Sequence, residues 1–271
     1  MDELTGVVES KDGTVLFTRR WPASEPRATI LVVHGLGEHS GRYRHVGSRF
    51  AAAGYETVAF DLRGHGRSGG PRVDVDDFRR YLEDLDAVHR AEVEPDERPW
   101  VLYGHSMGGL IAVGRLVDDA ARPAAAVLSA PALSAEVAPP LRAAAAILGR
   151  FAGGIRFPSD IRGDQLSRDP AVGEAYFADP LVETKVTARF GRALFAEQAR
   201  LAAHYERIDV PTLVLHGADD ELVRPEASAP LAAVETVERK LYPGLRHEPH
   251  NEPEGPEVLD DVVAWLDAQL A

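Results

Sequence analysis

The stretch that most restricts this chain is residues 100–113. Trp100-Val101-Leu102-Tyr103 is a short apolar run able to form a buried strand; it passes into Gly104-His105-Ser106-Met107-Gly108-Gly109, after which Leu110-Ile111-Ala112-Val113 can continue as a helix. A strand and a helix meet at so sharp a corner only where Gly104 and Gly108 remove the side chains that would collide. The corner would project the Ser106 hydroxyl outward, as the Gly-x-Ser-x-Gly elbow of a nucleophilic serine does. A plain Gly-rich turn also fits five residues with three fixed positions, so the pattern needs support from the rest of the chain.

That support is a rhythm. Val7-Val8-Glu9 and Thr14 to Thr18, separated by Lys11-Asp12-Gly13, read as an antiparallel hairpin closed by Trp21-Pro22. Apolar strand-like runs follow at 28–33, 57–60, 100–103 and 125–128, and again at 212–215 and 239–242. Between them, Tyr43, Val46, Phe50 and Ala53, then Phe78, Leu82, Leu85 and Val88, recur at helical spacing, and Val258, Leu259, Val262, Val263 and Leu266 mark a terminal amphipathic helix. Strands alternating with helices predict the α/β class: a mostly parallel eight-stranded sheet with helices on both faces.

The rhythm breaks from about Leu133 to Ile208, where no convincing strand is found. An Ala/Leu-rich stretch at 141–152, the Gly153-Gly154 break, a polar loop through Asp169-Pro170 and helical sequence from Phe190 to His204 fill the gap. An insertion of this size after the sixth strand suits a helical cap over the strand ends; the plainer alternative is that these helices pack the core. The expected division is a first core part at 1–132, the cap at 133–208 and a second core part at 209–271.

A serine hydroxyl is a poor nucleophile at neutral pH and needs a base, itself oriented by a carboxylate. His247, in the loop after the last strand, is the candidate base; His34, His65, His105, His216 and His250 compete with it. Asp219 and Asp220 follow the strand at 212–215, and the pattern Gly-x-x-Asp-x-x-Val, with Gly217 and Val223, selects Asp220. The order Ser, Asp, His is that expected of an α/β-hydrolase. The backbone N–H groups of Met107, directly after the serine, and Leu36, in the Gly-rich turn His34-Gly35-Leu36-Gly37, would form the oxyanion hole.

Composition closes off other chemistries. With no cysteine in 271 residues, disulfides, thiolate metal sites and a cysteine nucleophile are excluded, and the ten histidines show no metal-binding spacing. A formal charge of −13 disfavours nucleic acid and anionic lipid as partners. Met1-Asp2-Glu3-Leu4 is unlike a signal peptide, and nothing approaches a run of about 20 apolar residues. A cytoplasmic protein needing no cofactor is expected.

With these residues assembled, the sequence resembles the monoacylglycerol lipase branch of the α/β-hydrolases, close to bacterial lysophospholipase-like enzymes. The resemblance spans nearly the whole chain and rests on residues 34–43 (His-Gly-Leu-Gly-Glu-His-Ser-Gly-Arg-Tyr), Asp61 to Gly70, the elbow with Met107, Ser129-Ala130-Pro131, Ser167-Arg168-Asp169-Pro170 and the Asp220 and His247 loops. It implies the α/β-hydrolase fold and a serine carboxylester hydrolase cleaving monoacylglycerols to free fatty acid and glycerol through an acyl-serine intermediate, with Ser106, Asp220 and His247 as the triad and Leu36 and Met107 as the oxyanion hole. It also implies a glycerol pocket at Glu38, Arg42 and His250, where a Glu/Arg salt bridge is the plainer reading of the first two. One departure is Pro249, where the family usually has an apolar non-proline residue, which bears on where His250 points.

In this reading apolar cap residues such as Leu141, Ile147, Leu148 and Phe151 shelter the acyl chain, and contact with a membrane or micelle is at most transient. A broad-range carboxylesterase or lysophospholipase is the nearest alternative, and a non-catalytic ligand-binding α/β-hydrolase is the alternative from another class. Oligomeric state is left open.

Overall fold

A computed structural model describes residues 3–118, 122–134 and 147–271. The antiparallel hairpin is β1 (Leu4–Glu9) and β2 (Val15–Trp21), turning at Asp12-Gly13 where Gly13 has φ +83°. The sheet continues through β3 (Ala28–Val33), β4 (Tyr55–Phe60), β5 (Trp100–His105) and β6 (Ala125–Ser129). With β9 (Thr212–Gly217) and β10 (Val237–Tyr242) it has eight strands in the order β1-β2-β4-β3-β5-β6-β9-β10. β2 pairs antiparallel with β4, and every later pairing in this sheet is parallel.

The continuous apolar runs are explained by two covered faces. Strand side chains alternate across the sheet, so Leu31, Val33, Leu102 and Leu128 enter one core with α2 (Arg79–Glu92) and α3 (Met107–Val117). Ile30, Val32, Val101 and Val127 enter the other, with α1 (Arg44–Ala52) and the C-terminal helix α7 (Gly255–Gln269). All residues of β3, β4, β5, β6 and β9 are consequently buried, whereas β1 and β10, at the sheet edges, are largely not. The periodic residues read from sequence as helix faces behave as such: Tyr43, Val46 and Phe50 are sealed from solvent, as are Leu85 and Val88.

The segment between β6 and β9 departs from expectation in two places. It does contain strands: β7 (Arg156–Pro158) and β8 (Lys185–Thr187), three residues each, form an antiparallel pair of their own. The stretch through Asp169-Pro170 is a helix start and not a loop. The Asp169 side chain accepts from the N–H of Ala171, and Pro170 opens the helix, where its missing N–H costs nothing.

The helices of this segment include α4 (Gly163–Leu166), α5 (Pro170–Ala178) and α6 (Ala188–Ala202), and residues 147–151 are helical too. α6 does what the plainer reading expected, since its Phe190, Ala193 and Leu201 join the core on the α2/α3 face. Among the described residues no helix is long and apolar enough to cross a membrane.

Leu31 is fully buried on the α2/α3 face of the central strand. Leu31→Ala should therefore lower unfolding free energy by about 2–5 kcal/mol in a urea titration; a loss below about 1 kcal/mol would contradict the packing described.

Candidate active site

The elbow has the geometry that its two glycines allow. A Cβ on Gly104 would stand 2.4 Å from the carbonyl oxygen of Gly108, and a Cβ on Gly108 would stand 2.1 Å from that of Val33. With no room for either, β5 turns into α3 through Ser106, which is held at φ +53°, ψ −116°. A non-glycine residue in that region stores about 1–3 kcal/mol of strain, and the surrounding bonds hold it there. The Ser106 N–H donates to the carbonyl of Ser129 (2.9 Å), while its own carbonyl accepts from Leu110 (3.1 Å) and Ala132 (2.9 Å).

A second corner lies at the end of β9. There a Cβ on Gly217 would fall 2.2 Å from the carbonyl oxygen of Arg246, so the loop after β10 rests directly on the end of β9. That approach brings His247 to Asp220: His247 Nδ1 donates to Asp220 Oδ2 at 2.8 Å, and both side chains are almost wholly buried. Asp220 Oδ1 accepts from the N–H groups of Leu222 and Val223, each at 2.9 Å. Asp219 faces solvent. The His247 loop is also tied from above, because the N–H of Glu248 donates to the carbonyl of Leu166 at the end of α4 (2.9 Å).

Electrostatics follow from this pairing. Burial alone would pull the His247 pKa down, but the facing Asp220 carboxylate outweighs it and the net shift is upward. Burial likewise pushes Asp220 up, and His247, His216 and the backbone N–H of Val223 overcome that and hold its carboxyl well below the usual range. One cavity receives Ser106, His247, Leu36 and Met107 together at the C-terminal ends of the strands. A serine that lines a cavity, a buried carboxylate-oriented imidazole and the first N–H groups of a helix are the parts that acyl transfer needs.

Of the competing histidines, His34, His65 and His105 have other partners, and His216 braces Asp220. His34 Nδ1 donates to the carbonyl of Gly35 (2.7 Å) and Nε2 accepts from the N–H of Leu62 (2.9 Å); burial pulls its pKa to about 4, so it is a neutral brace. His65 Nδ1 donates to the carbonyl of Arg63, and burial pulls it to about 3. His216 lies 2.7 Å from the carbonyl of Val223 and 2.9 Å from Ser228 Oγ, supporting the Asp220 turn. His105 packs its ring 4.9 Å from that of His247 and meets the carbonyl of Ser129.

The sequence matches the family described as serine aminopeptidase, S33, over residues 24–254. It is 41% identical over 256 residues to a monoacylglycerol lipase of Mycolicibacterium smegmatis, covering 92% of this chain and 91% of that protein. It is 30% identical over 258 residues to a phospholipase of Bacillus subtilis, covering 92% and 99%. The crystal structure of the Paleococcus ferrophilus monoacylglycerol lipase aligns with a TM-score of 0.85 at 30% identity, covering 94% of this chain and 99% of that one. The chain belongs to the monoacylglycerol lipase branch of the α/β-hydrolases.

In this α/β-hydrolase the three residues that the resemblance assigned to a glycerol pocket separate. Glu38 and Arg42 line the cavity beside Ser106, as a buried ion pair and not a surface one: Arg42 Nη1 donates to Glu38 Oε2 at 2.6 Å. His250 does not line the cavity. It sits behind His105, stacked on Tyr43 at 5.1 Å, with neither ring nitrogen bonded among the described residues, and burial draws its pKa down to about 3. Pro249 opens the short 3-10 turn Pro249–Asn251 that carries it.

Sequence reasoning missed Glu248, which also lines the cavity and takes Arg42 from the other side, Nη1 to Oε1 at 2.6 Å and Nη2 to Oε2 at 2.8 Å. Its position next to His247 was the available signal. The acyl-chain residues are corrected too. Ile147 and Phe151 are 61% and 80% exposed, neither they nor Leu148 line the cavity, and Leu141 lies outside the described residues. The apolar wall is instead Leu36, Ile161, Leu166, Leu194, Leu222 and Val223.

Because only Asp220 meets the imidazole, Asp220→Asn should lower kcat/KM on a nitrophenyl ester by about 10³-fold or more, and Asp219→Asn by less than about threefold; the reverse order would exclude Asp220 as the orienting acid. The base must be neutral to accept a proton, and Asp220 raises its pKa. Wild-type kcat/KM should therefore rise with pH through an inflection above the ordinary histidine value of 6.5. An inflection below that value would contradict the pairing.

Proposed function

We propose that the protein is a serine carboxylester hydrolase that cleaves monoacylglycerols to free fatty acid and glycerol. The observation that carries this reading is the cavity itself, which sets Ser106 and the His247–Asp220 pair between an apolar wall and a polar one. Ser106 attacks the ester carbonyl as His247 takes its proton, and the oxyanion is held by the N–H groups of Leu36 and Met107. His247 then returns the proton to the departing glycerol oxygen. Water, deprotonated by the same imidazole, releases the fatty acid from Ser106. Leu166, Leu194 and Ile161 suit the acyl chain, and Glu38 and Arg42 suit hydroxyl groups.

The names of the relatives, monoacylglycerol lipases at 41% and 30% identity, support the same substrate class. We read residues 133–208 as the cap of this enzyme, with α6 shared between cap and core, and place its action in the cytoplasm on lipid met in passing at a membrane or micelle. A phospholipase among the relatives favours one second reading, a lysophospholipase with the same chemistry.

Initial rates across monoacyl-, diacyl- and triacylglycerol, a lysophospholipid, short nitrophenyl esters and an aminoacyl anilide, with Ser106→Ala as control, test the proposal. Monoacylglycerol should be the preferred substrate, and Ser106→Ala should lose nearly all activity with its thermal melt little changed. Preference for the lysophospholipid, or turnover of short esters or the anilide alone, would overturn the substrate assignment.

A further inference from the structure

Arg42 stands in a cavity, and a guanidinium so placed is ordinarily a clamp for carboxylate or phosphate. Here three of its five N–H donors are already engaged by carboxylates. Nη1 is shared between Glu38 Oε2 and Glu248 Oε1, both at 2.6 Å, Nη2 donates to Glu248 Oε2 at 2.8 Å, and the face of the group lies 4.9 Å over the Tyr176 ring. Glu248 is held in turn by Asn251 Nδ2 at 2.7 Å, and its side chain is 3% exposed.

Formal charges on this wall are two carboxylates against one guanidinium. His247 is set against the Asp220 carboxylate, and the other rings do not restore the balance: burial holds His250 down to about 3 and His105 well below its ordinary value, so both are neutral at pH 7. Arg42 overcomes the upward push of burial on Glu248 and keeps that carboxyl ionised.

We propose that Glu248 is a specificity residue: with Glu38 it occupies the donor fork of Arg42 and leaves the polar wall acceptor-rich and net negative. The site then takes a neutral polyol leaving group and turns away one that carries phosphate. The inference rests on the monoacylglycerol reading and refines it. Carboxylate oxygens each accept about two hydrogen bonds, so the lone pairs left on Glu38 Oε2 and Glu248 Oε1 can receive glycerol hydroxyls. A phosphate brings only negative charge and acceptors to the same wall. Without the Glu248 charge, Arg42 would face one carboxylate with part of its fork free, which is an anion site.

The test compares kcat/KM for an octanoyl monoacylglycerol and the corresponding octanoylglycerol phosphate, in wild type and Glu248→Gln. Wild type should favour the neutral ester by roughly 100-fold, and Glu248→Gln should shrink that ratio by roughly tenfold or more. Because Glu248 also acts on the His247 pKa, single rates will change, but that effect is common to both substrates and cancels in the ratio. In parallel, glycerol phosphate should inhibit wild-type hydrolysis of a nitrophenyl ester no better than glycerol does, which needs no variant.

An unchanged ratio in Glu248→Gln, equal wild-type turnover of both esters, or strong wild-type inhibition by glycerol phosphate overturns the inference while the monoacylglycerol reading stands. Absence of turnover of the neutral ester overturns both.

Discussion

No atom can be added where β5 gives way to α3. The carbonyls at the end of β3 press against Gly108, and the Gly108 carbonyl presses against Gly104. Ser106 absorbs the resulting turn in a backbone conformation that most residues avoid. The same closeness brings the His34-Gly35-Leu36 turn alongside the serine: a Cβ on Gly35 would stand 3.2 Å from Ser106 Cβ. The candidate oxyanion residues Leu36 and Met107 are thus brought beside the serine by one packing constraint.

The rest of the site is held by buried charge rather than by close packing alone. Asp220 and Glu248 would each be costly to bury unpaired, and each is compensated from across the loop after β10, Asp220 by His247 and Glu248 by Arg42. Glu252 ties the same loop to the α4 end by accepting from the N–H groups of Arg246 and Arg168 and from Ser167 Oγ. One loop therefore carries the candidate base, a wall carboxylate and the tether to the segment above it. The Glu248 to Leu166 hydrogen bond joins that segment to the residue next to His247.

The sheet was readable from the chain because a strand covered on both faces is apolar throughout, as Ile30 to Val33 are. The candidate nucleophile, acid and base stand out in the chain because each sits in a short loop at a strand end with its own local pattern. What escaped has equally physical reasons. β7 and β8 are three residues each and mostly outside the core, so no alternation marks them. Asp169-Pro170 carries both loop and helix-start chemistry, and only the side-chain bond to Ala171 decides between them. His250 was assigned by resemblance to the pocket, yet its ring is packed against Tyr43 and His105. The Arg42 to Glu248 pair joins residues 206 apart, a separation that no local motif spans.

The central claim is that Ser106 is the nucleophile this geometry serves. Reaction of the purified protein with a serine-directed fluorophosphonate, followed by peptide mapping with mass spectrometry, tests it most directly. The account predicts a single adduct on Ser106 that is absent in Ser106→Ala. No adduct at all, or one on another residue, would contradict it.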